Sequence, residues 1–304
     1  MAEGLNVLSL FDGMSCGRLA LDRAGIPIAN YFASEVDKYA IQTAKKNFVE
    51  IDQIGDVMAW RDWDLPKIDL LIGGSPCQGF SFAGRQLNFD DPRSKLFFEF
   101  ADVLKEVKPK YFLLENVMMK KEFQDIISEY LGVKPIKINS SLVSAQNRDR
   151  LYWTNIPNVK IPEDKGIVLK DILLDDPELI NEVMHGIYDS TGVETASPDF
   201  VAVDRCFQTG VAREIKGFDI IKRVYSVKGK APTLTTMQGG HREPKIAIDD
   251  KRWRKLHPIE MERLQTIPDE YTAGVSKTQR HKMLGNGWTI DVIAHIFRHI
   301  PELR

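Results

Sequence analysis

Cysteine is scarce in this chain: 3 in 304 residues, at Cys16, Cys77 and Cys206. An odd number, spread this widely, closes no disulfide framework and no four-cysteine zinc site, so no metal site is expected. The expected compartment is a reducing one, the cytoplasm. No apolar run approaches the roughly 20 residues that a membrane span requires. The opening Met1 to Asn6 carries an acid and no apolar stretch, which is not the pattern of a secretory signal. Internal repeats and low-complexity tracts are missing as well. Charge of one sign is not in excess either: 41 Lys+Arg against 43 Asp+Glu leave a net charge of −2. That excludes a coat of basic residues and leaves local clusters as the only route to a nucleic acid. What the chain does have is 43% hydrophobic and 28% charged residues, a globular balance with enough length for one large domain or two small ones.

The first half alternates short apolar runs with helical patterns. Asn6 to Phe11, Ile28 to Ser34, Ile68 to Ile72 and Tyr111 to Glu115 read as strands. Arg18 to Arg23, Asp37 to Phe48, Ser94 to Val107 and Glu122 to Leu131 read as helices. This alternation predicts an α/β fold with a parallel sheet covered on both faces. Its right-handed crossovers gather the loops after each strand along one edge, where ligands bind.

The pattern loosens after Trp153. Short β-like pieces, Val224 to Val227 and Thr233 to Thr236, stand among Gly, Pro, Asp and Thr residues. Charge separates here too: residues 160–199 carry 3 basic and 10 acidic side chains, residues 205–256 carry 13 and 5. The reversal suggests a polyanion-facing surface beside an acidic outer one, the alternative being ordinary solvated faces. Ile290, Ile293, Phe297 and Ile300 form a helical stripe of core residues.

Chemistry concentrates in the loops. Gly13 and Gly17 let the chain turn sharply from strand to helix, but their spacing is not the G-x-G-x-x-G of a dinucleotide cradle. Glu35 ends the next strand, placed to accept hydrogen bonds from ribose hydroxyls. Asp56 and Val57, after Gly55, are positioned to meet an adenine edge. Together these loops suit an adenosine ligand that makes no demand for a phosphate site. In Gly74-Ser-Pro-Cys-Gln-Gly79, Cys77 lies just past a buried strand and beside Pro76, where α/β enzymes put reactive groups. A small buried hydrophobe is the alternative for a lone cysteine. Cys16 and Cys206 read as non-catalytic. Glu115 ends a further strand of the same sheet behind an apolar run, placed to converge on Cys77 as a proton donor, a solvated side chain being the alternative. Arg148 and Arg150, two apart, would share one face of an extended segment and suit an anion or a carbonyl oxygen.

The order of these pieces resembles the DNA cytosine-5 methyltransferase family, from Asn6 to Phe297 apart from a variable middle. The matching pieces are Phe11-x-Gly, Glu35, Gly55-Asp-Val57, Pro76-Cys-Gln78, Glu115-Asn-Val117, Gln146-x-Arg-x-Arg150, the stretch Pro258 to Pro268 with Arg263-Leu-Gln265, and Gly285-Asn286. The first turn and Leu96-Phe-Phe-Glu-Phe100 look more like the animal de novo enzymes. The Pro-Cys-Gln and Gly-Asn elements look bacterial or phage-like.

The resemblance implies a Rossmann-like catalytic domain over residues 1–157 and 275–304, binding S-adenosyl-L-methionine, and an irregular β-rich target-recognition domain over 158–274. Phe11 would pack on the adenosine, with Gly13, Cys16, Gly17, Val36 and Pro76 around it. Glu35 would bind the ribose, and Asp56 and Val57 the adenine. Leu96, Asn286 and Trp288 would close the methionine end. Cys77 would attack carbon 6 of a cytosine, Glu115 would bond ring nitrogen 3 and the amino group, Arg150 would hold the ring oxygen, and Arg148 would support that loop. Residues 79–93 would be a closing loop. Gln78, Ser81, Arg93, Arg205, Arg213, Arg223 and Arg242 would contact double-stranded DNA, with the target base flipped out of the duplex. Like most of the family, the chain is expected to be a monomer.

Three other readings stand beside this one. The first is an RNA cytosine methyltransferase, since Arg205-Cys206-Phe207 resembles a Cys-Phe-Thr element of a transfer-RNA branch, although Gln208 stands where Thr is expected. The second is a catalytically silent methyltransferase-like DNA-binding protein, although Cys77, Glu115 and Glu35 are all present. A thiol-based dehydrogenase lacks the glycine fingerprint and a catalytic histidine.

Overall fold

The structure is a computed structural model that describes residues 4–75, 92–190, 206–237, 239 and 241–301, without the side chains of 92–94. Cys77, Pro76, Gln78, Ser81, Arg205 and the expected closing loop 79–93 (its last two residues by side chain) lie outside the described residues. The chain divides into two compact units, one of residues 1–138, 149–161 and 292–304 and one of residues 139–148 and 162–291.

The first unit is built on strands β1 (Leu5–Leu10), β2 (Ile28–Ser34), β3 (Asp52–Gln53), β4 (Leu70–Gly73), β5 (Tyr111–Val117), β6 (Ile136–Asn139) and β7 (Asp149–Thr154), in the order β3-β2-β1-β4-β5-β7-β6. Helices α1 (Cys16–Ala24), α2 (Lys38–Asn47), α3 (Pro92–Val107) and α4 (Lys121–Leu131) alternate with them. The strand pairs from β3 to β5 are parallel, as expected, and β7 is antiparallel to β5. The difference has a simple cause: residues 140–148 between β6 and β7 hold no crossover helix, and a parallel return needs one. Val7, Leu8, Leu10, Leu70, Leu71 and Ile72 are all fully buried, the continuous apolar run of strands covered on both faces. Leu8, Leu10, Leu71, Phe97, Phe100, Leu114 and Trp153 belong to one core.

Local signals set the helix ends. Asp37 caps α2, its carboxylate accepting from the N–H of Tyr39 at 2.9 Å. Gly25, at φ 75°, ends α1 in the left-handed conformation that favours glycine. The sheet order reverses between β1 and β4, so the carboxyl ends of these two strands border the switch point where open α/β sheets bind ligands.

The second unit holds a small closed barrel of β8 (His185–Ser190), β9 (Gln208–Ala212), β10 (Arg223–Tyr225), β11 (Lys245–Ala247) and β12 (Arg252–Lys255), ordered β10-β11-β12-β8-β9. Tyr188, Ala212, Ile215, Val224 and Trp253 fill it. Closure removes the exposed sheet edges that the sequence pattern alone leaves open. Helices α5 (Pro177–Asn181), α6 (Pro258–Leu264) and α7 (Lys277–Asn286) belong to this unit, and α8 (Ile290–Phe297) begins at its edge. Thr233 to Thr236, read as β-like, form no strand. Pro232 lacks an N–H, the Leu234 N–H goes to the side chain of Gln146 at 2.9 Å, and the Thr233 hydroxyl goes to the Asn147 carbonyl at 2.6 Å. Side-chain bonds thus replace the ladder.

Candidate active site

The turn after β1 is wound through three left-handed residues: Phe11 at φ 56°, Gly13 at φ 62° and Ser15 at φ 63°. A non-glycine residue holds such a conformation only when its surroundings insist, and Asp12 is what insists. Its buried carboxylate accepts from the Ser15 hydroxyl at 2.5 Å and from the Tyr31 hydroxyl of β2 at 2.7 Å. Its N–H reaches the Ser34 carbonyl at 3.1 Å. Burial lifts this carboxyl to about 6, against the lowering effect of its hydroxyl partners Ser15, Ser9 and Tyr31. Gly17 is needed for close approach, since a Cβ there would come within 2.3 Å of Ile72 Cδ1. Cys16 is buried in the first turn of α1.

Glu35 closes the other side of this turn. One carboxylate oxygen accepts the Gly13 N–H at 2.7 Å; the other accepts the N–H groups of Val36 and Asp37 at 2.7 and 2.8 Å. The side chain is thereby fixed at the carboxyl end of β2, beside an exposed Val36. Asp56 is exposed and caps the short 3-10 turn that starts at Val57, accepting the Met58 N–H at 3.0 Å. Val57 is buried, and Gly55 before it is held by the Ser34 hydroxyl at 2.8 Å. Leu96 is half-buried against the main core.

Beyond β4 and β5 the first unit places two charged groups together. Glu115 of β5 and Arg150 of β7 are about nine-tenths buried, with Arg150 Nε 2.9 Å from Glu115 Oε1. The pair is a charge contact and not an aligned hydrogen bond. Asn116 turns the opposite way and donates its side-chain amide to the carbonyl and hydroxyl of Ser75, both at 3.4 Å. That bond anchors the chain two residues before Cys77.

The second unit holds Arg148, Asn286, Trp288, Arg213, Arg223 and Arg242. Arg148 is 2% exposed, and its guanidinium donates to the carbonyls of Leu234, Gly285 and Gly287 at 3.0, 3.0 and 2.9 Å. It precedes β7, so the alternation expected to put it on one face with Arg150 does not reach it. It holds the turn that carries Asn286 and Trp288. Arg213 pairs with Asp189, Arg223 with Asp219 at 3.4 Å, and Arg242 is exposed. The stretch Pro258 to Pro268 is architectural. Glu260 takes a two-pronged bond from Arg254 at 2.7 Å each, Arg263 binds Asp269, and Gln265 reaches the Leu284 carbonyl.

In the sequence Asp12 stands as a turn residue and Asn116 as the neighbour of a glutamate, and neither position shows these bonds. Nor does the sequence show the role of Gln146, whose side chain bonds Leu264, Gln265 and Leu234. A polar residue inside an otherwise apolar run was the available signal for Asn116.

The α/β sheet thus gathers an acid, a glycine turn and a buried carboxylate–guanidinium pair toward the carboxyl ends of its strands. The C-5 cytosine-specific DNA methylase family matches residues 5–302, and the chain belongs to that family: it is a DNA cytosine-5 methyltransferase. It is 29% identical to the type II methyltransferase M.HhaI of Haemophilus parahaemolyticus, over 98% of this chain and 94% of that one. It is 30% identical to M1.ScrFI of Lactococcus lactis subsp. cremoris, over 98% of this chain and 78% of that one. In fold it is similar to the S. pombe Dnmt2 methyltransferase, with a TM-score of 0.66 and 16% identity over 96% of this chain and 97% of that one. No helix among the described residues is long and apolar enough to cross a membrane.

Proposed function

We propose that the chain transfers the methyl group of S-adenosyl-L-methionine to carbon 5 of a flipped-out cytosine in double-stranded DNA, as a cytoplasmic monomer, with Cys77 as the nucleophile. The observation that carries this reading is the Glu115–Arg150 pair beside the Asn116 anchor on the chain entering Cys77.

The first unit fits the cofactor. A Cβ at Gly13 would meet nothing within 4 Å, so the turn is open on that side. Phe11 supplies a half-exposed ring, Glu35 a fixed carboxylate for ribose hydroxyls, and Asp56 an exposed one at the adenine position. When bound, S-adenosylmethionine supplies an electrophilic methyl group on a sulfonium.

The chain's own residues make cytosine able to accept it. The Cys77 thiolate forms a bond to carbon 6. Glu115, holding a proton at ring nitrogen 3, neutralises the charge that the addition puts on the ring, and carbon 5 becomes an enamine carbon. Arg150 keeps Glu115 in place and carries positive charge toward the ring oxygen. After methylation, loss of the carbon-5 proton lets the C–S bond break, and the thiolate leaves. None of these atoms reaches carbon 6 in a stacked duplex, so the base must flip, at a cost of a few kcal/mol that contacts with loop and phosphates offset. Arg213, Arg223 and Arg242, with Gln78, Ser81, Arg93 and Arg205, are the proposed DNA contacts, supported by the basic segment that carries four of them.

The test is methyl transfer to unmethylated genomic DNA, with bulk transfer RNA and the Cys77→Ala variant in parallel and nucleoside mass spectrometry as the readout. 5-Methyldeoxycytidine that disappears in the variant supports the assignment. 5-Methylcytidine in RNA alone would move the substrate to RNA, and no product on either would favour a binding protein.

A further inference from the structure

A cluster of basic groups in the second unit has no part in the chemistry above. Lys255, Lys277, His241 and His281 line a cavity of about 310 Å³ together with Glu243 and Thr278. The one carboxylate among its described lining residues is already engaged: Glu243 Oε2 accepts from Lys255 Nζ at 2.9 Å. Beneath it, buried Lys245 donates to the carbonyls of His241 and Glu243 at 2.6 and 3.1 Å, which fixes the loop that forms one wall.

Two independent features point to a ligand. His281 is only 4% exposed, and its Nε2 has no hydrogen-bond partner among the described residues. A buried imidazole nitrogen left in this state is rare and costly. The cavity also receives the start of α7, where Lys277 and Thr278 follow a Ser276 whose side chain makes no cap. The first turn of α7 thus borders the cavity, and the positive end of the helix dipole lies on that side of it.

We propose that this cavity is a binding site for one phosphate group, held by Lys277 and the His281 Nε2–H, with Lys255 as a further cation. The phosphate is a phosphodiester of the DNA backbone or a free phosphate; the first source rests on the function proposed above, and the site itself does not. In the free protein burial, helped by Lys277, Lys255 and Arg280 and opposed by Glu243, holds the His281 imidazole at about 4. A bound anion offsets those cations and moves that titration upward.

The test follows the His281 imidazole by NMR in the full chain at neutral pH, the signal being assigned by its loss in His281→Gln. Inorganic phosphate is added to wild type and to Lys277→Gln; Lys277 is exposed, so its substitution leaves the fold in place. A saturable shift in wild type that weakens at least fivefold in Lys277→Gln and returns in Lys277→Arg supports the site. Unchanged His281 signals with both phosphate and duplex DNA overturn it, even if the protein methylates DNA normally. The salt dependence of duplex binding separates the sources. A slope smaller by about 0.9 in Lys277→Gln assigns a backbone phosphodiester. An equal slope, or no duplex binding at all, together with a saturable phosphate shift in wild type assigns a free phosphate and supports the site.

Discussion

Arg150 and Glu115 are diagonal partners across the β5–β7 pair: Glu115 stands opposite Tyr152, Val117 stands opposite Arg150, and the guanidinium spans the diagonal to bring Nε to 2.9 Å from the carboxylate. A one-residue slip of β7 would send Arg150 to the other face of the sheet. Register, and not a loop, therefore sets the distance between the two groups. Breaking such a pair leaves a buried charge without its partner, a larger loss than the pair's own net contribution. Arg150→Ala is expected to destabilise by about 3 kcal/mol. Arg150→Ala with Glu115→Gln together should cost at least about 1 kcal/mol less than the sum of the single changes. Urea denaturation of all four proteins measures both; strict additivity would remove the coupling.

Glu115→Gln keeps the shape of the side chain and removes the proton chemistry proposed for it. The turnover rate should fall about 100-fold or more, with DNA affinity within about threefold of wild type. Single-turnover methyl transfer together with equilibrium DNA binding checks the split. A parallel loss of both would mean that Glu115 only holds structure.

Glu35→Ala removes the acceptor for the N–H groups of Gly13, Val36 and Asp37 as well as the proposed ribose contact. Cofactor affinity should fall about 10- to 100-fold, the loss of charge-assisted hydrogen bonds, while cofactor-free DNA binding stays within about twofold. Calorimetric titration with S-adenosylmethionine reads the first and a filter-binding assay the second.

Asp12 gives the pH dependence a definite sign. Its folded value, about 6, lies above the ordinary 3.8, so the folded state keeps the proton over that interval. The stabilising contribution is complete below the unfolded value and is lost as pH rises through about 6. Relative to Asp12→Asn, wild type should lose roughly 1–1.5 kcal/mol between pH 5 and pH 7.5. Denaturant unfolding of both proteins at several pH values measures the difference, and a flat difference would mean that Asp12 titrates normally.

Two glycines should respond unequally to alanine. At Gly285 a Cβ would sit 2.2 Å from the Thr235 carbonyl oxygen, and backbone must move. At Gly17 the nearest atom is the far end of the Ile72 side chain, at 2.3 Å. Gly285→Ala should therefore cost about 3 kcal/mol and Gly17→Ala about 1 kcal/mol, as read from unfolding midpoints.

The parallel sheet was legible because its strands are continuous apolar runs and its helices carry caps and periodic stripes, as at Leu70–Gly73 and at Asp37 before α2. The position of Glu35 was legible for a related reason: it directly follows the apolar strand β2. Other features depend on distant partners that leave no local trace. Arg148 and Arg150 look equivalent in sequence, yet one binds three backbone carbonyls and the other a carboxylate. Thr233 to Thr236 have strand-like composition, but the bonds from Gln146 and Asn147 claim their backbone and side chains first. The closed barrel could not be read either, because its strands are short and one of its pairings, β12 with β8, joins segments far apart in the chain.

The bond proposed between Cys77 and carbon 6 of cytosine in DNA can be trapped. Fluorine at carbon 5 cannot leave as a proton does, so a duplex carrying 5-fluorodeoxycytidine in target sites should stop the reaction after methylation with the C–S bond intact. Intact-mass spectrometry of the protein after incubation with that duplex and S-adenosylmethionine should show a species heavier by the methylated strand, stable to denaturation and missing in Cys77→Ala. An adduct that persists in Cys77→Ala, or methylation of ordinary DNA by that variant, would contradict the account.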